Sequence, residues 1–289
     1  MSEYREPSVE LRARVAMEKH RFHTTHSLGQ NFILDGRLID HLLDETNLDP
    51  RDHVLEIGPG AGVMTGKLAE RVEKVLAVEI DKNLEPVLQD VLGGYDNVKV
   101  AFEDVMKADL GALTGGFFGE GGYRVVANLP YYITADIILM LVNSECKPES
   151  IAIMVQKEAA ERLMSHPGEK QWCALAATVQ YFGDISVVTD VPPDAFFPMP
   201  HVVSSFIRID LFDEKPVQPK DEKIFLRLIN AAFAMRRKTL ANNLKASFGM
   251  DQETAKRVIT AAGVDERVRG ESLTLEQLCM IADAIAEGE

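Results

Sequence analysis

The first strand-like run of the chain ends in Leu55-Glu56-Ile57-Gly58-Pro59-Gly60-Ala61-Gly62, and a helical pattern follows it directly. Glycine is required where a backbone turns tightly against a ligand, because a Cβ atom would collide there. At the end of the next predicted strand lies Glu79, whose carboxylate can accept hydrogen bonds from both hydroxyls of a ribose. Together these residues predict a nucleoside-bearing cofactor at a strand–turn–helix junction.

A dinucleotide such as NAD would suit the same residues, but two features favour another cofactor. The glycine spacing is G-x-G-x-G rather than G-x-G-x-x-G, and the acidic Glu56 lies two positions before the first glycine. Asp104 follows the third predicted strand, where its carboxylate can accept a hydrogen bond from an adenine amino group. A glycine-rich turn without a ligand is the weaker interpretation once Glu79 and Asp104 are included.

From residue 53 onward, β-branched runs alternate with helical patterns, which predicts a mostly parallel α/β sheet of Rossmann-like type with helices on both faces. Two later runs are predicted to form an antiparallel edge hairpin, and the glycine-rich residues 115–122 a flexible loop. The predicted strands are residues 53–57, 75–80, 97–102, 123–127 and 151–156, with the hairpin at 184–191 and 202–211. The predicted helices of this part are residues 63–71, 82–92, 135–142, 157–165 and 172–181.

The sequence divides into two predicted domains. Residues 1–213 form the cofactor-binding domain, which includes an N-terminal helix (residues 8–22) and loop within residues 1–34, with Asp35 as the N-cap of the next helix. Residues 214–221 are rich in Pro, Lys and Asp and read as a linker into residues 214–289, a small all-α domain. Its predicted helices are residues 222–235, 238–248, 252–262 and 274–286.

Composition is that of an ordinary globular protein, with 46% hydrophobic and 26% charged residues in 289. The net charge of −14 counts against a nucleic-acid partner, because phosphate contacts need Lys and Arg. The imbalance is uneven, however: residues 1–199 carry 18 basic and 31 acidic side chains, and residues 200–289 carry 13 and 14. Any nucleic-acid contact is therefore expected to be local.

The fourth predicted strand ends in Asn128-Leu129-Pro130-Tyr131, beside the cofactor residues. The N6 lone pair of adenine is delocalised into the ring, so it is a poor nucleophile. If the Asn128 Oδ1 atom and the Leu129 carbonyl each accept an N6–H bond, the nitrogen moves toward tetrahedral geometry and its lone pair is freed. Pro130 fixes the turn, and Tyr131 offers a face for stacking an extruded base. An ordinary strand-to-helix turn is the alternative.

Together these motifs resemble the KsgA-type ribosomal RNA small-subunit adenine dimethyltransferases, and the resemblance covers residues 22–286. It implies a class I methyltransferase sheet and S-adenosylmethionine-dependent N6,N6-dimethylation of two adjacent adenosines in the 3′-terminal hairpin of small-subunit (16S) rRNA, during ribosome biogenesis. The motifs are Ser27-Leu28-Gly29-Gln30-Asn31-Phe32, Glu56-Ile57-Gly58-Pro59-Gly60, Asn128-Leu129-Pro130-Tyr131, Gln156-Lys157-Glu158, the run Phe196-x-Pro198-x-Pro200-x-Val202-x-Ser204 (the Phe–Pro motif), and Arg236-Arg237-Lys238-Thr239-Leu240.

The resemblance also implies roles for residues that their spacing alone does not assign. Asn31 and Ile33 are expected to line the cofactor from the N-terminal loop, and Phe196 to stack on the target base opposite Tyr131. Core packing is the alternative for Phe196. The complete expected cofactor site comprises Asn31, Ile33, Gly58, Gly60, Glu79, Asp104 and Asn128.

Two positions depart from the family pattern, since His26 and His201 stand where relatives often have lysine. Both changes remove expected phosphate contacts at neutral pH. We therefore expect RNA binding to tighten below about pH 6.5, where imidazole is protonated. His20, His23 and His26 have spacing that suggests a metal, but surface histidines are the simpler interpretation, and no metal is expected.

The cluster Arg236, Arg237 and Lys238 is the expected RNA contact of the C-terminal domain, because it interrupts an apolar helical pattern in the least acidic part of the chain. A solvated helix face is the alternative. The partner implied by the resemblance is small-subunit rRNA in a pre-assembled 30S-like particle, and the protein is expected to be monomeric. The cysteines Cys146, Cys173 and Cys279 lie far apart, which argues against disulfides and zinc and for the cytoplasm, as does the lack of a membrane-length apolar run.

Two other functions stay open at this point. A large-subunit rRNA adenine methyltransferase of the antibiotic-resistance type would share the fold and Asn128-Leu129-Pro130-Tyr131, although such enzymes are expected to be basic. A non-catalytic ribosome assembly factor would keep the cofactor pocket without catalysing methyl transfer.

Overall fold

The computed structural model describes residues 7–24 and 29–288. Its helices and strands follow the predicted alternation closely. In chain order they are α1 (Val9–Lys19), β1 (Phe32–Ile33), α2 (Gly36–Asp44), β2 (His53–Ile57), α3 (Val63–Ala69), β3 (Lys74–Glu79), α4 (Glu85–Leu92), β4 (Val98–Phe102), α5 (Leu110–Phe118), β5 (Arg124–Asn128), α6 (Thr134–Val142), β6 (Ser150–Gln156), α7 (Lys157–Leu163), α8 (Ala174–Phe182), β7 (Gly183–Val191), β8 (Phe196–Phe197), β9 (Ser204–Leu211), α9 (Glu222–Ala234), α10 (Leu240–Phe248), α11 (Gln252–Ala261) and α12 (Leu275–Ala286).

Seven strands form one sheet in the order β4-β3-β2-β5-β6-β9-β7. The five strands from β2 to β6 are mutually parallel, and β9 runs antiparallel to β6, with β7 at the edge beside it. The predicted edge hairpin and the mixed, mostly parallel α/β sheet are therefore confirmed.

The strand order reverses direction between β2 and β5, which are neighbours in the sheet but not in the chain. Right-handed crossovers then place α3 and α4 on one face and α5 and α6 on the other. In an open parallel sheet, ligands bind outside the carboxyl ends of the strands at such a switch point. The glycine turn after β2 and the Asn-Leu-Pro-Tyr turn after β5 both lie there.

A second, two-stranded sheet joins distant parts of the chain. Strand β1 pairs antiparallel with β8, with Phe32 opposite Phe197 and Ile33 opposite Phe196. This pairing fastens the loop that precedes β1 to the start of the Phe–Pro motif. Because each strand contributes only two residues, periodicity in the sequence does not predict it.

The chain divides into two compact units. The first comprises residues 1–160 and 186–211, and the second comprises residues 161–185 and 212–289. The second unit includes residues 161–185, which the sequence analysis assigned to the cofactor-binding domain. Side-chain packing explains this difference, because Trp172 is 1% exposed and meets Phe233 edge-on at 6.1 Å. Tyr181 likewise packs against Phe225, with ring centroids 4.7 Å apart.

The predicted flexible loop at residues 115–122 is wrong over its first half, because residues 115–118 belong to α5. Asp109 caps this helix by accepting a hydrogen bond from the backbone N–H of Ala112 at 2.9 Å. Leu110, Thr114 and Phe118, at i, i+4 and i+8, are all buried, so one face of the helix packs. Burial of this face outweighs the low helix propensity of its glycines.

Exposed glycines in α5 offer a direct test of this correction. A Cβ atom added at Gly115 meets nothing within 4 Å, so we expect Gly115→Ala to raise the free energy of unfolding by about 0.5–1 kcal/mol. Gly119→Ala is the contrasting variant. Gly119 ends the helix at φ +82°, where alanine is strained, so we expect this variant to lose stability. Denaturant unfolding measures both, and a loss of stability in Gly115→Ala would argue for a loop.

Candidate cofactor and base-binding site

The glycine turn after β2 depends on left-handed backbone at Gly58, Gly60 and Gly62, whose φ angles are 73°, 55° and 79°. Residues with a Cβ atom are strained in this region. At Gly60 the space is also closed, because a Cβ atom would lie 2.6 Å from Cδ1 of Phe32. The left-handed backbone of all three residues and the close approach of Phe32 to Gly60 therefore both require glycine in this turn.

A cavity of about 300 Å³ opens at this turn. It is bounded by the ends of β2, β3 and β5, by the residues after β4 and by the loop that leads into β1. All seven expected cofactor residues line it, and so do Leu129 and Pro130. Its expected lining residues are Asn31, Ile33, Gly58, Gly60, Glu79, Asp104, Asn128, Leu129 and Pro130.

Glu79 is 5% exposed and accepts two backbone hydrogen bonds at the end of β3. Its Oε2 atom accepts from the Gly60 N–H at 3.2 Å, and its Oε1 atom accepts from the Asp81 N–H at 2.8 Å. Burial raises the pKa of Glu79, and these two bonds oppose that effect. A carboxylate offers about four acceptor positions, so Glu79 retains capacity to accept from a ribose hydroxyl.

Asp104 lies on the cavity wall after β4. Its Oδ1 atom accepts from the Met106 N–H at 3.1 Å, and its Oδ2 atom lies 2.7 Å from the Lys107 ammonium. The hydrogen bond from Lys107 lowers the pKa of the Asp104 carboxyl, so this group is an ionised acceptor at neutral pH. An ionised acceptor suits an exocyclic amino group.

Asn128 is held in place by the loop before β1. Its Nδ2 atom donates a hydrogen bond to the Asn31 backbone carbonyl at 3.0 Å. The amide nitrogen is therefore already hydrogen-bonded. The Oδ1 atom is left as an acceptor, which is the role expected of it toward an adenine N6–H. Asn31 itself donates from Nδ2 to the Gly29 carbonyl at 3.3 Å, which keeps the loop closed on itself.

Tyr131 does not line the first cavity but a second one, of about 350 Å³. Its hydroxyl lies 2.6 Å from the Oγ atom of the buried Ser204, and this contact fixes the ring against the Phe–Pro motif. The exposed His201 lines the same cavity, and His26 lies outside the described residues. Gln30 and Asn31 line both cavities, which places the two side by side.

Phe196 is only 5% exposed and belongs to the apolar core, whereas the adjacent Phe197 is 57% exposed. Successive side chains of a strand point to opposite faces, so only one of the two rings can face solvent. The structure thus favours the core-packing alternative for Phe196. Its stacking on a target base stays a prediction, and it would require the ring to be uncovered.

Glu56 is a cavity residue that the sequence analysis noted but did not include in the site. It is 1% exposed, and its Oε2 atom has no hydrogen-bond partner among the described residues. Complete burial raises the pKa of Glu56 to about 8; the Thr65 hydroxyl opposes this shift, and the Glu79 carboxylate adds to it. A buried carboxyl without a cation is a signal that only the folded structure provides.

In the second unit, residues 236–238 form an exposed turn between α9 and α10, so the predicted helix start at Lys238 is two residues early. Arg236 donates from Nη2 to the Lys170 carbonyl at 2.6 Å, and its Nε atom lies 3.5 Å from Oε2 of Glu271. For Arg237 and Lys238 the described part of the chain contains no ion pair. The cluster therefore lies on a turn and not on a helix face, and Arg237 and Lys238 are the two cations without an ion pair among the described residues.

Two further features bear on ligands. Within residues 7–24 and 29–288, no group of three or more His, Cys, Asp or Glu side chains is arranged to hold a metal ion. Over the same residues, no helix is long and apolar enough to cross a membrane.

The strand order, the glycine turn at the switch point and the acidic residues after β3 and β4 define a Rossmann-like sheet of the class I methyltransferase type. The profile of the family "Ribosomal RNA adenine dimethylase" matches residues 21–287 of this chain. The chain therefore belongs to the ribosomal RNA adenine dimethylase family.

Relatives of known name agree with this assignment. The chain is 43% identical over 274 residues to "Ribosomal RNA small subunit methyltransferase A" of Lachnoclostridium phytofermentans, with 94% of each chain covered. It is 40% identical over 272 residues to the protein of the same name from Alkaliphilus oremlandii, covering 94% of this chain and 95% of the relative. A dimethyladenosine transferase from Plasmodium falciparum shares the fold, with a TM-score of 0.69 at 23% identity over 86% of this chain and 94% of that one.

S-adenosylmethionine, the cofactor of this family, fits the residues of the cavity. Gly58 and Gly60 line the cavity without side chains of their own, and Glu79 and Asp104 provide acceptors for a ribose diol and an amino group. Glu56, whose Oε2 atom has no partner among the described residues, also lines the cavity.

Burial of Glu56 makes a prediction about the pH dependence of stability. Because the pKa is raised in the folded state, the folded protein retains a proton that the unfolded chain loses above about pH 4.5, so stability falls as pH rises toward 8. We expect Glu56→Gln to remove a loss on the order of 2–4 kcal/mol between pH 5 and 8. Thermal unfolding across this range measures it, with Glu103→Gln, an exposed carboxyl, as the control. Parallel curves for Glu56→Gln and the parent would contradict the prediction.

Proposed function

We propose that this protein transfers methyl groups from S-adenosylmethionine to the N6 atoms of two adjacent adenosines in the 3′-terminal hairpin of small-subunit rRNA. Supporting this are the family assignment, the full-length relatives named small-subunit methyltransferases, and above all the fixed amide of Asn128 beside the cofactor cavity. We further propose that it acts as a monomer in the cytoplasm, on a pre-assembled 30S-like particle during ribosome biogenesis.

In this proposal the cofactor is held by the residues that line the first cavity. Glu79 binds the ribose hydroxyls, Asp104 accepts from the adenine amino group, and Gly58 and Gly60 let the ligand lie against the backbone. Asn31 and Ile33 close the cavity from the loop and from β1. When bound, S-adenosylmethionine supplies an electrophilic methyl group on its sulfonium centre.

Asn128 and Leu129 prepare the target nitrogen. The Asn128 Oδ1 atom and the Leu129 backbone carbonyl each accept one N6–H hydrogen bond, which withdraws the lone pair from conjugation with the ring. The bond from Asn128 Nδ2 to the Asn31 carbonyl holds the acceptor at a fixed position, so little reorganisation is needed at the moment of reaction. No general base is required before attack, because the nitrogen loses its proton readily once methylated.

The target base enters through the second cavity. Tyr131 offers one face for stacking, and its hydroxyl contact with Ser204 prevents the ring from turning away. Pro130 fixes the turn that separates the two cavities. Phe196 remains the proposed partner ring for the base, on condition that the Phe–Pro motif shifts to uncover it.

Two alternatives are weaker. A large-subunit methyltransferase of the antibiotic-resistance type is disfavoured by relatives at 40–43% identity whose names specify the small subunit. A non-catalytic assembly factor would have no use for the fixed acceptor geometry at Asn128.

Transfer of labelled methyl from S-adenosylmethionine to unmethylated small subunits tests the proposal. We expect dimethyladenosine on small-subunit rRNA, with a loss on the order of 10²–10³-fold in rate for Asn128→Ala, because one of two fixed acceptors is removed. Free large-subunit RNA is the control substrate, and Asn143→Ala is the control variant, since Asn143 lies at the C-cap of α6. Binding to small subunits without transfer would favour the assembly factor, and transfer to large-subunit RNA alone would favour the resistance-type enzyme.

The turn of residues 236–238 makes a separate prediction about RNA affinity. Arg237→Ala with Lys238→Ala tests this turn more cleanly than a variant at Arg236, because Arg236 also stabilises its own unit. We expect weaker binding to small-subunit RNA and a salt dependence whose slope is smaller by about 1 to 2, at unchanged cofactor affinity.

The matched control for this turn is Lys223→Ala with Lys245→Ala, which removes two exposed cations of the same unit from α9 and α10. Filter binding across a salt series measures all three proteins. An unchanged slope in the Arg237/Lys238 variant, or an equal change in the control, would remove the turn from the RNA site.

A further inference from the structure

The wall of the cofactor cavity carries charge of one sign. Its carboxyl side chains are Glu56, Glu79, Glu103 and Asp104, and no Lys, Arg or His is among the described residues that line it. Two of these acids are nearly inaccessible, since Glu56 is 1% exposed and Glu79 is 5% exposed. A cavity of this kind favours a ligand that brings positive charge, because an uncompensated buried carboxylate is costly.

The surroundings of Glu56 provide no compensating cation. On β2 it lies between Ala77 of β3 and Val126 of β5, both buried and apolar. Its Oε2 atom makes no hydrogen bond to any described residue. The Glu79 carboxyl, whose charge has the same sign, disfavours ionisation of Glu56 further.

Cations on the neighbouring elements are bound elsewhere. Lys67 of α3 lies 3.3 Å from the Glu10 carboxylate and 3.1 Å from that of Asp40, and Arg71 lies 2.6 Å from Asp40. At the opposite ends of the neighbouring strands, Lys74 of β3 donates to the Phe117 carbonyl, and Arg124 of β5 pairs with Asp52. None of these four cations is therefore left to balance an ionised Glu56.

We propose that Glu56 is protonated in the free protein and loses its proton when S-adenosylmethionine enters, so that the site recognises the positive charge of the methyl donor. This inference rests on the proposed function. The released proton passes to solvent, and the carboxylate that forms is balanced by the ligand's charge. After methyl transfer the sulfonium has become a neutral thioether, and the carboxylate has less charge to balance it. The demethylated product therefore binds more weakly than the donor, which speeds exchange between the two successive methylations.

Isothermal titration of the full chain at pH 7 tests this without measuring turnover. S-adenosylmethionine and S-adenosylhomocysteine are each titrated in phosphate, HEPES and Tris buffers, whose ionisation enthalpies differ. The slope of observed enthalpy against buffer enthalpy gives the number of protons released. We expect close to one proton for the methyl donor and clearly less for the demethylated product, with donor affinity rising as pH increases from 6 to 8.

Glu56→Gln is the diagnostic variant, because a neutral amide cannot release a proton. We expect it to bind the donor with no release from this site and to lose most of the preference for donor over product. Glu120→Gln, which removes an exposed carboxyl outside the cavity, is the matched control and should release protons as the parent does. Any titration of the ligand's own amino group is common to all three proteins and cancels in the comparison.

The outcomes distinguish a failure of the proposal for Glu56 from a failure of the proposed methylation. If the parent binds the donor without proton release, or releases equally with donor and product, the role of Glu56 is overturned while the proposed methylation stands. If the donor does not bind at all, the proposed function fails with it. Should Glu56→Gln not fold, the comparison of donor with product in the parent still decides the question.

Discussion

The hydrogen bond from the Gly60 N–H to Glu79 joins the two features on which the rest of the site depends. One is the glycine turn at the end of β2, and the other is the end of the neighbouring strand β3. Glu79 accepts a second backbone bond, from Asp81, so a single buried carboxylate holds the turn after β2 and the segment that follows β3. Any ligand at this point meets a backbone that is already fixed. Preorganised acceptors of this kind lower the cost of ordering a bound molecule.

Two further links attach distant parts of the chain to this centre. The Asn128 side chain bonds to the Asn31 carbonyl, and β1 pairs with β8, so the loop before β1 contacts both the Asn-Leu-Pro-Tyr turn and the Phe–Pro motif. Phe32 occupies the middle of this arrangement, since its ring fills the space beside Gly60 while its backbone pairs with Phe197. The cofactor cavity and the base cavity therefore share one wall. A displacement of this loop would alter both at once.

Much of this fold is predictable from sequence because its sheet is built from local, strongly patterned runs. The strand at residues 53–57 and the helix cap at Asp35 match the prediction, since apolar runs and capping residues act over a few positions. The prediction of a loop at residues 115–118 was wrong because glycine lowers helix propensity locally, whereas the helix α5 is stabilised by the tertiary burial of Leu110 and Phe118. Which of Phe196 and Phe197 points inward depends on register with β1, more than 160 residues away, and no local pattern contains it.

Charge is the property that sequence composition describes least well for this protein. The net charge of −14 argues against RNA as a partner, yet the chain belongs to a family of RNA methylases. The contradiction disappears once charge is considered locally, because in physiological salt an exposed charge acts over only about 8–10 Å. Arg237 and Lys238 are exposed, so their charges act on a molecule that contacts their turn. Glu56 and Glu79 are buried, so they contribute little to the electrostatic potential at the protein surface. An acidic protein can thus present a basic contact to RNA and an acidic cavity to a cationic cofactor.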